Sequence, residues 1–463
     1  MTSKNHASEV DPLSPLYNIF VRHAMHMQSK IRRSPHHGQR LGWVPQDESF
    51  WQLRGKIDPI SPANAVAVFS RCISQTDCAA SFVPTASELL LYVSTAGTDS
   101  QIAQLTQSLQ VLWTVLMSTS LEEARKSLSC IALGYDLERI LQAFDAQWEQ
   151  HKNAFDQSHV PIDDRNHDLV LFLETFAKVK TTPRSDKGAI IELLRTAYNF
   201  QGGITISKWS KIARKKAGVH EARAWLYDIF LPLAAVQGLC EEACFKNIAD
   251  EPDEQQSILR ALMKFPLKVE IVRCATQTAT IPSYVFAPSW LEQKFRDQHK
   301  ENGNTFGPEE TKYLKSFISA AGREFKKESA SAEDPMCLRV LTHPEFALYS
   351  HLSTLGVRPI GDLPQIGTSA STCYACFNVI RILASSSRKK SQWIEEPTHF
   401  ALTHWKGPEK LGENGIQDMQ WRFLEIIGQH ITSVVRAEKQ HDSLRPQTET
   451  IPSKRSLAIY SWD

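Results

Sequence analysis

From the start of the chain to about residue 265, apolar positions recur at three- and four-residue spacing, the period of a helix with one buried face. Tyr17, Phe20, Val21, Ala24 and Met27 form the first such stripe, and a loop rich in Arg, His, Gly and Pro follows over 32–46. Ser61-Pro62 then supplies a capping hydroxyl and a proline suited to a first helical turn. Further helices are expected over 86–93, 101–117, 121–133, 136–152, 168–179 and 186–200. A basic helical segment, 207–216, ends at Gly218 and leads into a more apolar helix over 219–239. That outline fits a helix-turn-helix DNA reader, and it fits an ordinary helical hairpin with a solvated lysine face, which is the simpler reading. With no alternating strand pattern in this half, residues 1–265 are expected to form an all-α domain.

The pattern changes near Phe265. Residues 267–274 alternate apolar and polar, as a half-buried strand does, and 280–286 is expected to pair with them. Helical spacing returns over 290–298 and 309–325. Residues 337–341 then form a short strand that runs into His343-Pro344-Glu345 at the start of an apolar-faced helix. A strand over 365–368 leads to a second helix over 373–383, which opens with Cys373-Tyr374-Ala375-Cys376. Strand, helix, strand, helix predicts parallel strands joined by a right-handed crossover. A further strand is expected over 399–405 and a strongly amphipathic helix over 417–438. Residues 266–440 thus read as an α/β domain, and 441–463 as a polar, mobile tail.

Composition narrows the partners. In 463 residues, 52 basic side chains offset 51 acidic ones, a net charge of +1, so no whole-surface attraction to nucleic acid or anionic membrane is expected. The polar N-terminus has no secretory apolar core and no apolar run reaches a membrane span, so an intracellular protein of cytoplasm or nucleus is expected. Nine cysteines are too few for a disulfide framework. Outside the C-x-x-C pair they are read as free buried thiols, which predicts a reducing compartment. Cys240 and Cys244, four apart on a helix with no histidine partner, are read as core.

The candidate chemistry lies between Thr342 and Phe377. One imidazole and two thiols match the ligand set of a zinc ion that keeps its fourth position open. Thiols at i and i+3 near a helix start share one face, and the free amides and helix dipole there favour the thiolate. Glu345, two residues from His343, is placed to handle protons beside the metal. A second His-x-Glu, His299-Lys300-Glu301, has no cysteine pair at comparable distance and is read as surface. Two other readings fit the same residues. One is a structural zinc with a fourth ligand from His351, His399, His404 or Cys337; the other is two buried cysteines beside an unrelated histidine.

Thr342-His343-Pro344-Glu345, followed by Ile366-Gly367-Thr368-Ser369-Ala370-Ser371-Thr372 and the cysteine pair, resembles the cytidine deaminase superfamily. In particular it is similar to a fungal group of predicted nucleic acid/nucleotide deaminases. The resemblance covers about residues 335–410 at motif level. It implies an α/β/α sandwich with a mixed sheet, Zn2+ held by His343, Cys373 and Cys376, and Glu345 as proton shuttle in hydrolytic deamination. The substrate it implies is a cytosine- or adenine-type base, free or in nucleic acid. Tyr374, His404 and Trp405 are the candidates to stack on or bond to that base. Two features depart from the family pattern. Thr372 stands where most nucleoside deaminases have proline, and His404-Trp405-Lys406-Gly407 matches a downstream His-Gly-Lys segment only loosely. Arg388-Lys389-Lys390 with Trp393 combines charge and an aromatic, as strand-binding surfaces do, although a solvated loop is the simpler account. The competing function is a catalytically silent binding or effector module that keeps zinc for stability.

Overall fold

The computed structural model describes residues 61–156, 231–240, 242–243, 262–280, 307–328, 337–357, 365–370, 373–385 and 393–394, with single positions at 259, 293, 424, 428, 431–432 and 435. The first described element is α1 (Pro62–Ser74), where the Ser61 hydroxyl accepts from the Asn64 amide and Pro62 opens the helix, as the sequence predicts. There follow β1 (Cys78–Pro84), β2 (Leu89–Thr95), α2 (Asp99–Ser118) and α3 (Leu121–Asp156). After the next stretch come β3 (Leu267–Arg273), β4 (Thr276–Thr280), α4 (Pro308–Glu328) and β5 (Cys337–Leu341). The described chain closes with α5 (Pro344–Thr354), β6 (Gly367–Thr368) and α6 (Tyr374–Ser385).

The expectation of an all-α first half is corrected by β1 and β2. They form an antiparallel hairpin, and residues 86–93, expected as helix, belong to its turn and second strand. The reason is burial on both faces. Both strands lie inside the protein for almost their whole length, so neither face is exposed and the period-two alternation of a half-exposed strand is absent. β2 also pairs in parallel with β3, and β1 pairs antiparallel with β6, giving a four-stranded mixed sheet in the order β3-β2-β1-β6. Segments on either side of residue 265 therefore share one sheet, and the described fold has α/β character.

Alternate residues of the hairpin face two helical layers. Cys78, Ala80, Phe82, Leu89, Leu91 and Val93 join α1, α2, α3 and the helical stretch 231–240 in one apolar core. Leu267, Val269 and Ile271, in register with Leu89, Leu91 and Val93, extend that face across β3. On the other face Tyr92 stacks against His351 of α5, with ring centroids 5.3 Å apart, and Ser94 bonds to Pro344. Gly367 marks how closely α1 lies on β6. A Cβ there would stand 2.1 Å from the backbone of Ala63 and Asn64, while Asn64 Oδ1 accepts from the Thr368 amide at 2.7 Å.

Three further expectations change. The helices read as parting near residue 134 are one helix, α3. Ala124, Leu128, Ala132, Leu137 and Ile140 continue a buried stripe through Gly134, and that stripe outweighs the roughly 1 kcal/mol a glycine costs. The second strand of the α/β half is β4, and it pairs with β5 rather than with β3. Among the described residues β5 pairs with β4 and β6 with β1, so these two strands do not flank α5 in one sheet. A parallel bridge joins Ile366 to Ile394 across α6. The strands at 337–341 and 366–368 and the helices opening at Pro344 and Tyr374 stand within a residue or two of expectation. Among the described residues no helix is long and apolar enough to cross a membrane. The stripe at 17–27, the loop at 32–46, residues 168–200, the basic segment 207–216, residues 281–286, the strand at 399–405 and the tail at 441–463 lie outside the described residues, as does most of the helix expected over 417–438.

Candidate metal centre

His343 is the cap residue of α5. Its backbone is extended (φ −64°, ψ 143°), and Pro344 fills the first helical position, where a missing amide hydrogen costs nothing. Thr342, just before it, donates its amide to the Ala275 carbonyl at 2.8 Å and so carries the β4–β5 ladder up to the histidine. Cys373 opens α6 in the same manner, its carbonyl accepting from the Phe377 amide at 2.9 Å, which places Cys376 in the first turn. Two helix starts therefore converge, each bringing ligand atoms.

Their side chains meet. The candidate ligand atoms of His343, Cys373 and Cys376 all lie within 4.8 Å of one another, and Cys376 Sγ stands 3.3 Å from His343 Nδ1. In a closed tetrahedron with Zn–S near 2.3 Å and Zn–N near 2.0 Å, such atoms are separated by roughly 3.5–3.8 Å. The group thus fits a zinc-sized ion after a contraction of at most about 1 Å, with Nδ1 as the imidazole ligand. All three residues are buried, Cys376 completely. Glu345 is buried beside them, its Oε1 accepting from the Cys373 amide at 3.2 Å and standing 4.0 Å from His343 Nδ1. That carboxylate ties the two helix starts together.

The site is electrostatically uneven. Burial pushes the Glu345 carboxyl above the usual carboxylate range, against the pull of the nearby His343. The Cys373 thiol is held well below its ordinary value, chiefly by its hydrogen bond with Cys376 and also by His343, against the effect of burial. Cys376 is pushed well above, chiefly by burial. Of the two thiols, Cys373 at the helix start is thus the more readily ionised. A bound divalent cation would deprotonate both, since metal ligation favours the thiolate outright.

Among the described residues this is the one group of three or more ligating side chains, so the ligand set expected from the sequence is brought together. The alternative fourth ligands fare differently. His351 packs on Tyr92, Cys337 lies in β5 opposite Thr280, and His399 and His404 are outside the described residues. Tyr374 occupies the first position of α6, and Trp405, like the decoy at 299–301, is outside the described residues. Trp393 is buried edge-on against Tyr349, with centroids 5.1 Å apart, as core rather than as a strand-binding surface.

Sequence reasoning missed the residues that hold the site from below. Ser94 of β2 donates to the Pro344 carbonyl, and Ser369, between β6 and Cys373, bonds to the backbone of Cys78. Cys274, whose thiol burial pushes up to about 12 with smaller contributions from Cys78 and Glu345, also lies near the carboxyl. No local pattern could have pointed to Ser94 or Ser369, because their partners are 250 and 291 residues away in the chain. No protein-family model matches the chain, and no curated protein or solved structure matches it.

Proposed function

We propose that the protein is a zinc-dependent hydrolytic deaminase acting on a nucleobase, in a nucleotide or in nucleic acid. The observation that carries this reading is the joint placement of one imidazole, two thiols and a desolvated carboxyl at two facing helix starts. A mixed sheet with helices on both faces supports it, being the arrangement the sequence resemblance implies. His343, Cys373 and Cys376 would hold the ion. When bound, zinc supplies the Lewis acidity that brings a water within reach of a base near neutral pH.

The chain's own contribution centres on Glu345. Burial raises its proton affinity, which favours accepting a proton from water beside it. In this reading it takes a proton from the attacking water and delivers protons to the ring nitrogen and to the departing ammonia. Water and the amino-bearing base become the carbonyl base and ammonia, with no oxidant or reductant involved. The Cys373 amide holds Oε1 in place, and burial keeps bulk water from competing for the proton.

The burial of all three ligand side chains also favours a second reading, in which zinc stabilises a catalytically silent module. Glu345→Ala separates the two. In the zinc-loaded full chain the variant keeps one zinc per chain and loses ammonia release from a panel of nucleosides, nucleotides and oligonucleotides by roughly 10²–10⁴-fold. A zinc-loaded wild type that deaminates nothing on that panel supports the silent module instead. A chain that takes up no zinc overturns both.

A further inference from the structure

Two buried serines fasten the ligand-bearing segments to elements far away in the chain. Ser94 projects from β2 towards α5 and donates its hydroxyl to the Pro344 carbonyl at 2.6 Å, between the positions of His343 and Glu345. Ser369 uses three polar groups at once. Its amide donates to the Cys78 carbonyl at 2.9 Å, its hydroxyl accepts from the Cys78 amide at 2.8 Å, and its carbonyl accepts from the Arg71 guanidinium at 3.2 Å. Ser94 is 0% and Ser369 1% exposed, so water does not compete for these bonds. A buried hydroxyl is costly unless partnered, and each of these joins a strand of the hairpin to a segment that leads to ligands.

The geometry has a functional consequence. A metal ion needs its ligand atoms held to within a few tenths of an ångström, and a helix start carries its side chains with it as it shifts. The Glu345–Cys373 bond ties the two starts to each other but fixes neither to the sheet. Ser94 fixes the α5 start to β2. Ser369, with Arg71 of α1, fixes the approach to α6 to the first residue of β1. Since β1 and β2 are one hairpin, both starts are referred to the same rigid ladder.

We propose that Ser94 and Ser369 are positioning residues of the metal centre, setting the separation at which His343, Cys373 and Cys376 close on one ion. This rests on the metal-binding part of the proposed function and not on its deaminase part.

The test uses the full chain loaded with Co2+, with affinity read by competition against a chromophoric chelator and thiolate ligation read from the sulfur-to-cobalt absorption. Three variants are compared: Ser94→Ala, Ser369→Ala and, as a control for stability alone, Thr98→Ala at the distant capping box of α2. Each of the first two weakens Co2+ binding by about 10-fold or more, the effect typical of an outer partner of a ligand. Thr98→Ala lowers the melting temperature and leaves the affinity as it was. Wild-type affinity in both serine variants overturns the proposal, and so does an equal loss in Thr98→Ala. A wild-type chain that binds no Co2+ through thiolate overturns the metal reading itself, and this inference with it. Should Ser94→Ala be recovered unfolded, Ser94→Cys keeps the side chain's bulk, weakens the donor and reads the same shift.

Discussion

The β1–β2 hairpin meets α1 and α2 on one face and α5 on the other, and the two contacts differ in kind. Towards α1 and α2 it presents Cys78, Ala80, Phe82, Leu89, Leu91 and Val93, a continuous apolar surface. Its other face carries Val83 and Leu90 near the turn and Ala79, Ser81, Tyr92 and Ser94 beyond them, where Ser94 donates to Pro344, Ser81 accepts from Gln365 and Tyr92 packs on His351. The first face supplies burial, which is large and tolerant of direction. The second supplies a few directed bonds, which contribute little to stability but fix position. One pair of strands thus separates holding the fold from holding the site, by the alternation of its side chains.

The separation breaks or stands on four substitutions. Phe69→Ala, at a fully buried position of the apolar layer, is expected to cost about 3–5 kcal/mol in denaturant unfolding and to leave the Co2+ affinity of the folded chain unchanged. Lost affinity there would show that the two faces are not independent.

Cys78 gives a sharper test, because its side chain faces the apolar layer while its backbone holds Ser369. Burial raises its thiol from 9.0 to about 11. A folded value above the unfolded one means stability that is complete below about pH 9 and is lost as pH rises through 11, about 3 kcal/mol in all. Burial also raises Cys72, and raises Cys274 to about 12, so these thiols extend the decline to higher pH. Urea unfolding across this range should show the decline beginning near pH 9. Cys78→Ala should make the decline between pH 9 and 11 less steep, with Cys72 and Cys274 accounting for what remains, and should keep the metal affinity, since no backbone group is removed.

Gly367→Ala acts on the joint between the two roles. Its Cβ meets backbone rather than a flexible side chain, so α1 or β6 must shift, at a cost of about 1–3 kcal/mol. Because β6 leads directly to Ser369, metal affinity should fall as well, and calorimetry beside a Co2+ titration would show whether the two losses go together. The smallest effect is expected from Ser61→Ala, which removes the cap of α1 for about 1 kcal/mol and should leave the affinity untouched.

What the sequence showed follows the same division. Local signals were legible: Ser61-Pro62 marked the start of α1, and the segment from Cys337 to Cys376 placed a helix start behind each ligand group. The hairpin was not, because strands buried on both faces lose the alternation that identifies a strand. A signal was present in the short run Leu89-Leu90-Leu91-Tyr92-Val93, bounded by Pro84-Thr85 and Gly97. Its length and its Tyr and Val favour a strand over a helix. The helices expected over 121–133 and 136–152 left a gap around Gly134, yet a buried stripe on both sides carried α3 through it. The strand partners were illegible in principle, since β1 with β6 and β4 with β5 are long-range choices. The ligands could be read because chemistry dictates residue type and spacing; the serines that place them could not, because any buried hydroxyl looks alike in sequence.

The Ser369–Cys78 contact spans 291 residues, and this bears on how the chain is made. At about 5–20 residues per second, translation delivers Ser369 roughly 15–60 s after Cys78. Throughout that interval the edge of β1 that β6 will cover, and the serine face that α5 will cover, have emerged without their partners. An uncovered strand edge is a template for pairing with another chain. A nascent or truncated chain ending before residue 367 is therefore expected to be prone to aggregation and to depend on chaperones, and a premature stop far downstream of the hairpin should be as damaging as one within it.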